Sequence, residues 1–245
     1  VAVVARGQMD AATAEDLAAN KRLVLDYFHD VVAAFDRRPL SRYIAPDFVI
    51  HGADALSGID AFDLILQRDF GDHPPLAGDD IRMLPPALVV ADGDLVTIVF
   101  YMPMAVPDAS GAAYDYYGFN TYRIDSGRIV ERWSNEHLTA RPQFLPEAAF
   151  GKAAAEASPH VSVDAAAAKQ VAMDAHVARF PDASTAFVQC EGDLVVIATE
   201  LPQPRPDGAG TWDYYAYDAY RISGGRAIEQ WSGLDRHALP IQLSS

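Results

Sequence analysis

Two stretches of the chain carry period-two patterning on a strongly apolar background. From Asp94 to Met102, Leu95, Thr97, Val99 and Tyr101 alternate with Val96, Ile98, Phe100 and Met102. Both sets are largely apolar, which predicts a strand buried on both faces. Tyr114 to Ile124 is rich in aromatic and β-branched residues, Asp125-Ser126-Gly127 is a turn signal, and Arg128 to His137 resumes as a strand. The result is a long hairpin. The same pattern returns as Thr211–Ile222, Ser223-Gly224-Gly225 and Arg226–Asp235.

Upstream the period changes to that of a helix. Thr13 with Asp16 three residues on forms a capping-box signal, and Leu17, Val24, Phe28, Val31, Val32 and Phe35 then fall on one stripe. A helix to about Asp36 is predicted, stopped by Pro39. A short turn at Ile44–Asp47, a short strand Phe48–His51 and a second helix from about Asp60 to Phe70, with Phe62, Ile65 and Leu66 inward, complete the first half.

The recurrence is a tandem repeat. Asp115–Pro142 and Asp213–Pro240 align without a gap, with 13 of 28 positions identical, and Val89–Pro103 pairs with Val188–Pro202 just upstream. The second copy has no sequence counterpart of the long first helix. Its one long helix, capped by Asp164 and running to Phe180, is matched here with the second helix of the first copy. An Ala-rich stretch, Glu147–Ala157, and Ser158-Pro159 lie between. The expected organisation is α+β: a complete unit over residues 1–142, a linker with a short helix over 143–163, and a shortened unit over 164–245.

A chain of 245 residues accommodates two such units. The net charge of −15 disfavours nucleic acid and anionic membranes as partners. No apolar run approaches the ~20 residues of a membrane span, and the apolar start Val1 to Ala5 is too short for a signal-peptide core. The single cysteine, Cys190, leaves no intramolecular disulfide and no thiolate metal cluster, which fits a cytoplasmic setting. Phosphate-loop, HExxH and nucleophile-elbow motifs are absent.

Several stretches together resemble the SnoaL-like polyketide cyclase group of the nuclear transport factor 2-like superfamily. They are Asn20-Lys21-Arg22, Ala45-Pro46-Asp47-Phe48-Val49-Ile50-His51, Gly58-Ile59-Asp60-Ala61-Phe62 and, most tellingly, Tyr122 to Trp133. The resemblance implies a curved, mostly antiparallel sheet wrapped on helices like a cone. It also implies an apolar pocket between the sheet and the long helix, acid–base chemistry without metal or organic cofactor, and dimers formed sheet to sheet. The tandem would then be an internal pseudo-dimer, or the chain would form a homodimer through its sheet faces.

Strand alternation nominates the pocket residues. Asn120 and Tyr122 share one face, and Glu131, Trp133, Asn135 and His137 share one face of the next strand, with Tyr27 and Phe28 reaching in from the helix. Many members of the family carry an acid where this chain has Asn120, and an amide holds or polarises a carbonyl but cannot act as base. His137 or His51 is then the candidate base. Glu131 and Glu229, if buried beside tryptophan, would be raised in pKa and serve as acids. The alternative is pairing with Arg123 and Arg221 across the hairpin. The second copy offers Asp218, Trp231 and Asp235. Three functions stay open. One is an enzyme (cyclase, isomerase or dehydratase type) acting on a small apolar carbonyl compound. Another is a non-catalytic binding or dimerisation module. The third is chemistry in the second copy through Asp218 and Asp235.

Overall fold

The computed structural model describes residues 12–52, 56–106, 112–135, 144–151, 161–181, 183–205 and 208–234. Helix α1 (Ala14–Tyr27) opens on the expected capping box, Thr13 and Asp16 bonding reciprocally. It runs on into a π-helical turn, Phe28–Ala33. After α2 (Leu40–Tyr43) come β1 (Ile44–Ile50) and α3 (Ile59–Phe70), then β2 (Pro86–Asp92), β3 (Leu95–Tyr101), the short pair β4 (Met104–Ala105) and β5 (Ala113–Tyr114), β6 (Tyr117–Asp125) and β7 (Arg128–Ser134). The second half has α4 (Pro146–Gly151), α5 (Ala165–Val177), β8 (Ser184–Glu191), β9 (Leu194–Pro204), β10 (Thr211–Ser223) and β11 (Arg226–Ser232).

These strands build two sheets. The first has the order β1-β7-β6-β3-β2, antiparallel except where β1 lies parallel to β7. The second has the order β11-β10-β9-β8 and is antiparallel throughout. The turn joining β6 to β7 places Ser126 at φ 50 and Gly127 at φ 71, the left-handed pair that a two-residue hairpin requires. The first sheet wraps α1 and α3, burying Val24, Tyr27, Phe48, Phe62, Ile98 and Tyr122 in one core. Its other face packs on the second sheet through Leu88, Val99, Phe119, Trp133, Val196, Tyr217 and Ala219. The strand patterned as apolar on both faces, β3, therefore lies between two cores.

The contact between the sheets is reciprocal. The Ala91 backbone N–H donates to Glu191 Oε2 (2.8 Å), and the Cys190 N–H donates to Asp92 Oδ2 (3.0 Å). Lys21 on α1 reaches Glu191 (2.5 Å), and Lys169 on α5 reaches Asp92 (2.7 Å). Phe119 stacks on Tyr217, ring centroids 5.1 Å apart, and these residues occupy the same position in the two aligned segments. Self-complementary pairing of this kind is the signature of a two-fold interface.

That reciprocity corrects one expectation. Helix α5 packs on β8, β9 and β10 as α1 packs on β2 and β3, whereas α3 packs on β1. So α5 stands where α1 stands, and not where α3 does. Helix α5 has 13 residues against 14 for α1 and no π-helical continuation, and among the described residues the second sheet has no strand in the place of β1.

Candidate functional site

A cavity of about 640 Å³ opens between α1, its π-helical turn, α3 and the inner face of the first sheet. Its walls are aromatic and aliphatic: Tyr27, Phe28, Phe62, Leu66, Phe100 and Tyr122 among them. The π-helical turn follows directly on Tyr27, and this departure from regular α-helix presents Phe28, Val32 and Ala33 together to the space. Phe35 carries a left-handed φ of 49°, unusual for a bulky side chain, and stacks on His73 at the rim at 4.1 Å. Exposed Asp69, Asp80 and Arg82 complete that rim, and Arg82 lies over the Phe150 ring of α4 at 4.3 Å.

The interior polar groups are few. Asn120 Oδ1 accepts from both Nε (3.2 Å) and Nη2 (3.0 Å) of Arg132, which is largely buried and lines the cavity beside it. Asn135 also lines the space, but its amide is committed to backbone. Oδ1 accepts from the Phe119 N–H, while Nδ2 donates to the carbonyls of Tyr117 and, across the sheets, Gly233. Asn135 thus fastens the sheets together. Gly233 is required there, since a Cβ would stand 2.6 Å from Asn135 Nδ2 and 2.9 Å from Phe119.

Tyr27, Phe28, Asn120, Tyr122 and Asn135 line the cavity. Glu131 and Trp133 do not. Arg123 pairs with Glu131 but Ile124 pairs with Ile129, so Val130 is an extra residue in β7. Such a bulge reverses the facing of every later side chain. Arg132, opposite Tyr122, turns inward, and Glu131 and Trp133 turn outward. Trp133 enters the core between the sheets. Glu131 bonds His51 Nε2 (3.0 Å) and pairs with Arg123 Nε (3.2 Å). The hydrogen bond from His51 lowers its carboxyl pKa, outweighing the upward push of partial burial, with Arg123 adding to the lowering. Glu131 is therefore held ionised, which contradicts the raised-pKa acid. His51 stacks on Trp133 at 4.5 Å with ring planes 1° apart, away from the cavity. His137 and Asp235 lie outside the described residues.

Arg132 is the cavity residue that alternation missed. Its signal was the doubled apolar step Ile129-Val130 before Glu131, repeated as Ala227-Ile228 before Glu229. The second hairpin carries the same bulge, so Gln230 pairs with Tyr220 while Trp231 packs toward the inter-sheet core and Glu229 pairs with Arg221.

On the second sheet the corresponding face is filled. Asp218 is fully buried, accepting from His176 Nδ1 (2.9 Å), Arg179 Nη1, Tyr220 Oη (3.2 Å) and Gln230 Nε2 (3.2 Å). His176 Nε2 meets Thr199 Oγ1 on its other side. Thr199, His176 and Asp218 have the connectivity of a nucleophile triad, but all three are buried and none lines the cavity. Burial pushes the Asp218 pKa up, while the His176 hydrogen bond and the charge of Arg179 pull it down further, and the net effect is lowering. No three His, Cys, Asp or Glu residues are gathered to hold a metal ion among the described residues.

Residues 24–132 match the family model described as SnoaL-like domain. Similar solved structures include a candidate SnoaL-like polyketide cyclase from Jannaschia sp. CCS1. It is 19% identical, with 61% of this chain and 99% of that one covered and a TM-score of 0.38. IdmH, a candidate polyketide cyclase from Streptomyces antibioticus, is 21% identical over 46% of this chain and 89% of that one, with a TM-score of 0.33. An NTF2-like protein of unknown function from Burkholderia pseudomallei is 15% identical over 48% and 91%, with a TM-score of 0.35. No functionally curated protein matches the chain. Over residues 24–132 the chain is thus similar to the SnoaL-like domain family.

Proposed function

We propose that the first unit is a small-molecule enzyme that works by acid–base chemistry without metal or organic cofactor. Its substrate is a mostly apolar carbonyl compound, polyketide- or terpenoid-like. The reaction is proton abstraction or transfer of the kind that drives aldol cyclisation, isomerisation or dehydration. The observation that carries this reading is the cavity of about 640 Å³, apolar in most of its walls, with Asn120 and Arg132 bonded to each other at its interior. A site of this size and polarity suits an organic ligand. Asn120 steadies the oxygen on which charge develops. His137, which lies outside the described residues, is the candidate base by its residue type. The second unit acts as a built-in partner in place of a second subunit, a role supported by the reciprocal bonds of Ala91 with Glu191 and Cys190 with Asp92.

A thermal-shift screen of polyketide-like and terpenoid ketones, followed by turnover of the hits, tests the assignment. Loss of a general base lowers turnover by about 10²–10⁴-fold, so His137→Ala falls by that factor and His51→Ala retains activity. Unchanged turnover in His137→Ala would overturn the role of His137. One observation favours a binding module instead: among the described lining residues, the carboxylates and the imidazole (Asp69, Asp80 and His73) all sit at the exposed rim. In that case ligands bind and none is converted.

A further inference from the structure

Resting on the reading of the cavity as a carbonyl-binding site, we infer that Arg132 is a positioning residue that fixes the polarity of the interior. The cavity thereby accepts ligands whose buried end is a hydrogen-bond acceptor and disfavours those whose buried end is only a donor. A guanidinium has five N–H groups and no acceptor. Two of its nitrogens, Nε and Nη2, converge on one side-chain atom of Asn120. That atom must be the amide oxygen, because an NH2 group there would set donor against donor. The orientation of Asn120 is thus dictated by its neighbour, and its Nδ2 is turned to the other side. Asn120 Nδ2 has no partner among the described residues, and the side chain lines the cavity. Asn135, the other amide on this wall, is no competitor, since its donors and its oxygen are bonded to backbone.

The polarity is specific to this half. The register positions of Asn120 and Arg132 are held in the second sheet by Asp218 and Gln230, where Gln230 donates to Asp218. One face thus holds an amide backed by a cation, and the other an anion backed by an amide. A carboxylate at position 120 would pair with Arg132 and turn an acceptor toward the ligand. The first unit is built in the opposite sense, with donors offered and the positive charge of Arg132 beside them. The matching ligand group is a ketone, ester or enolate oxygen. The residues also divide the labour: Asn120 touches the ligand oxygen, and Arg132, which lines the cavity beside it, orients the Asn120 amide through Nε and Nη2.

The test uses the full chain with two probes of nearly equal shape, the bicyclic ketone 1-tetralone and its hydrocarbon tetralin, with affinities measured by calorimetry. The carbonyl stretch of bound 13C-labelled 1-tetralone is read by infrared difference spectroscopy. Wild type is expected to bind the ketone about tenfold more tightly than the hydrocarbon, of the order expected for one buried hydrogen bond, with the carbonyl band shifted to lower frequency. Asn120→Asp and Asn120→Leu are expected to lose both the preference and the shift while still binding tetralin. In Arg132→Met the amide is free to turn, so the band broadens and the preference falls, and Arg132→Lys restores part of both. A purely structural role for Arg132 would weaken ketone and hydrocarbon alike and leave the band in place. Equal binding of the two probes to wild type with no carbonyl shift would overturn the polarity inference alone. Failure of both probes to bind wild type would overturn the carbonyl-binding reading and this inference with it.

Discussion

The two sheets present the same inner face to different contents. On the first, α1 and its π-helical turn stand off from the strands and leave a cavity. On the second, α5 lies down on the strands and buries Asp218, His176 and Thr199 between them. Counting from the two interface lysines, Phe28 of the first helix corresponds to His176 of the second, and Val31 to Arg179. Where one helix presents an aromatic ring to an open space, the other presents an imidazole and a guanidinium to a buried carboxylate. A carboxylate at the position of Asn120 is what base catalysis would want. Here the carboxylate occurs in the unit where it is neutralised on every side, and the amide occurs in the unit with room for a ligand. The residue type at that position says less about chemistry than what the facing helix places against it.

The sharpest way to break this contrast is to exchange stability for function at the paired positions. Asp218→Ala removes the acceptor shared by His176, Arg179, Tyr220 and Gln230 and strands buried polar groups. Breaking a buried pair of this kind costs about 3–5 kcal/mol, read by urea unfolding. Asn120→Ala, which faces a cavity but removes the acceptor for two N–H groups of Arg132, is expected to cost less, about 1–3 kcal/mol, while abolishing carbonyl recognition. Comparable destabilisation by both would erase the distinction between plug and pocket.

A second probe bears on the seam that holds the units together. Gly233→Ala forces a methyl against Asn135 and Phe119 and is expected to cost about 1–3 kcal/mol in the same unfolding assay. Because Asn135 also lines the cavity, this change should weaken ligand binding as well, whereas a substitution on the far side of α5 should not.

The pH dependence of folding distinguishes the faces again. The Asp218 pKa is lowered in the folded state, so its stabilising contribution is complete above the unfolded aspartate value of ~3.9 and disappears as pH falls through the folded value. One such group contributes a slope of up to about 1.4 kcal/mol per pH unit in that acid range. Asp218→Asn should flatten the slope measured by unfolding below about pH 4, and Asn120→Ala should leave it intact. The smallest effect is expected at His51. Its bond to Glu131 lies at a partly exposed site outside the cavity, so His51→Ala should change stability by less than about 1 kcal/mol and leave turnover unaltered.

Much of the fold was legible because it rests on local pattern. The capping box at Thr13 and Asp16, the inward faces of α3 and the β6–β7 hairpin all follow from periodicity and turn chemistry, and the family resemblance pointed to the cavity wall. What could not be read was set by single irregularities and by tertiary choice. One extra residue, Val130, moved Arg132 inward and carried Glu131 and Trp133 out. The packing of α5 against its sheet, which decides that Asp218 is buried, depends on which helix of the first unit it replaces. Its Ala-rich sequence does not say, and only the reciprocal lysine bonds do.

The central claim is that ligand enters the first unit, meets Asn120, and finds no room in the second. Crystals of the full chain soaked in 6-bromo-1-tetralone, with the bromine located by anomalous scattering, test it most directly. The account predicts one bromine in the cavity of about 640 Å³ and the ketone oxygen within hydrogen-bond reach of Asn120 Nδ2. A bromine beside α5 near Asp218, or a ketone in the cavity turned away from Asn120, would contradict it.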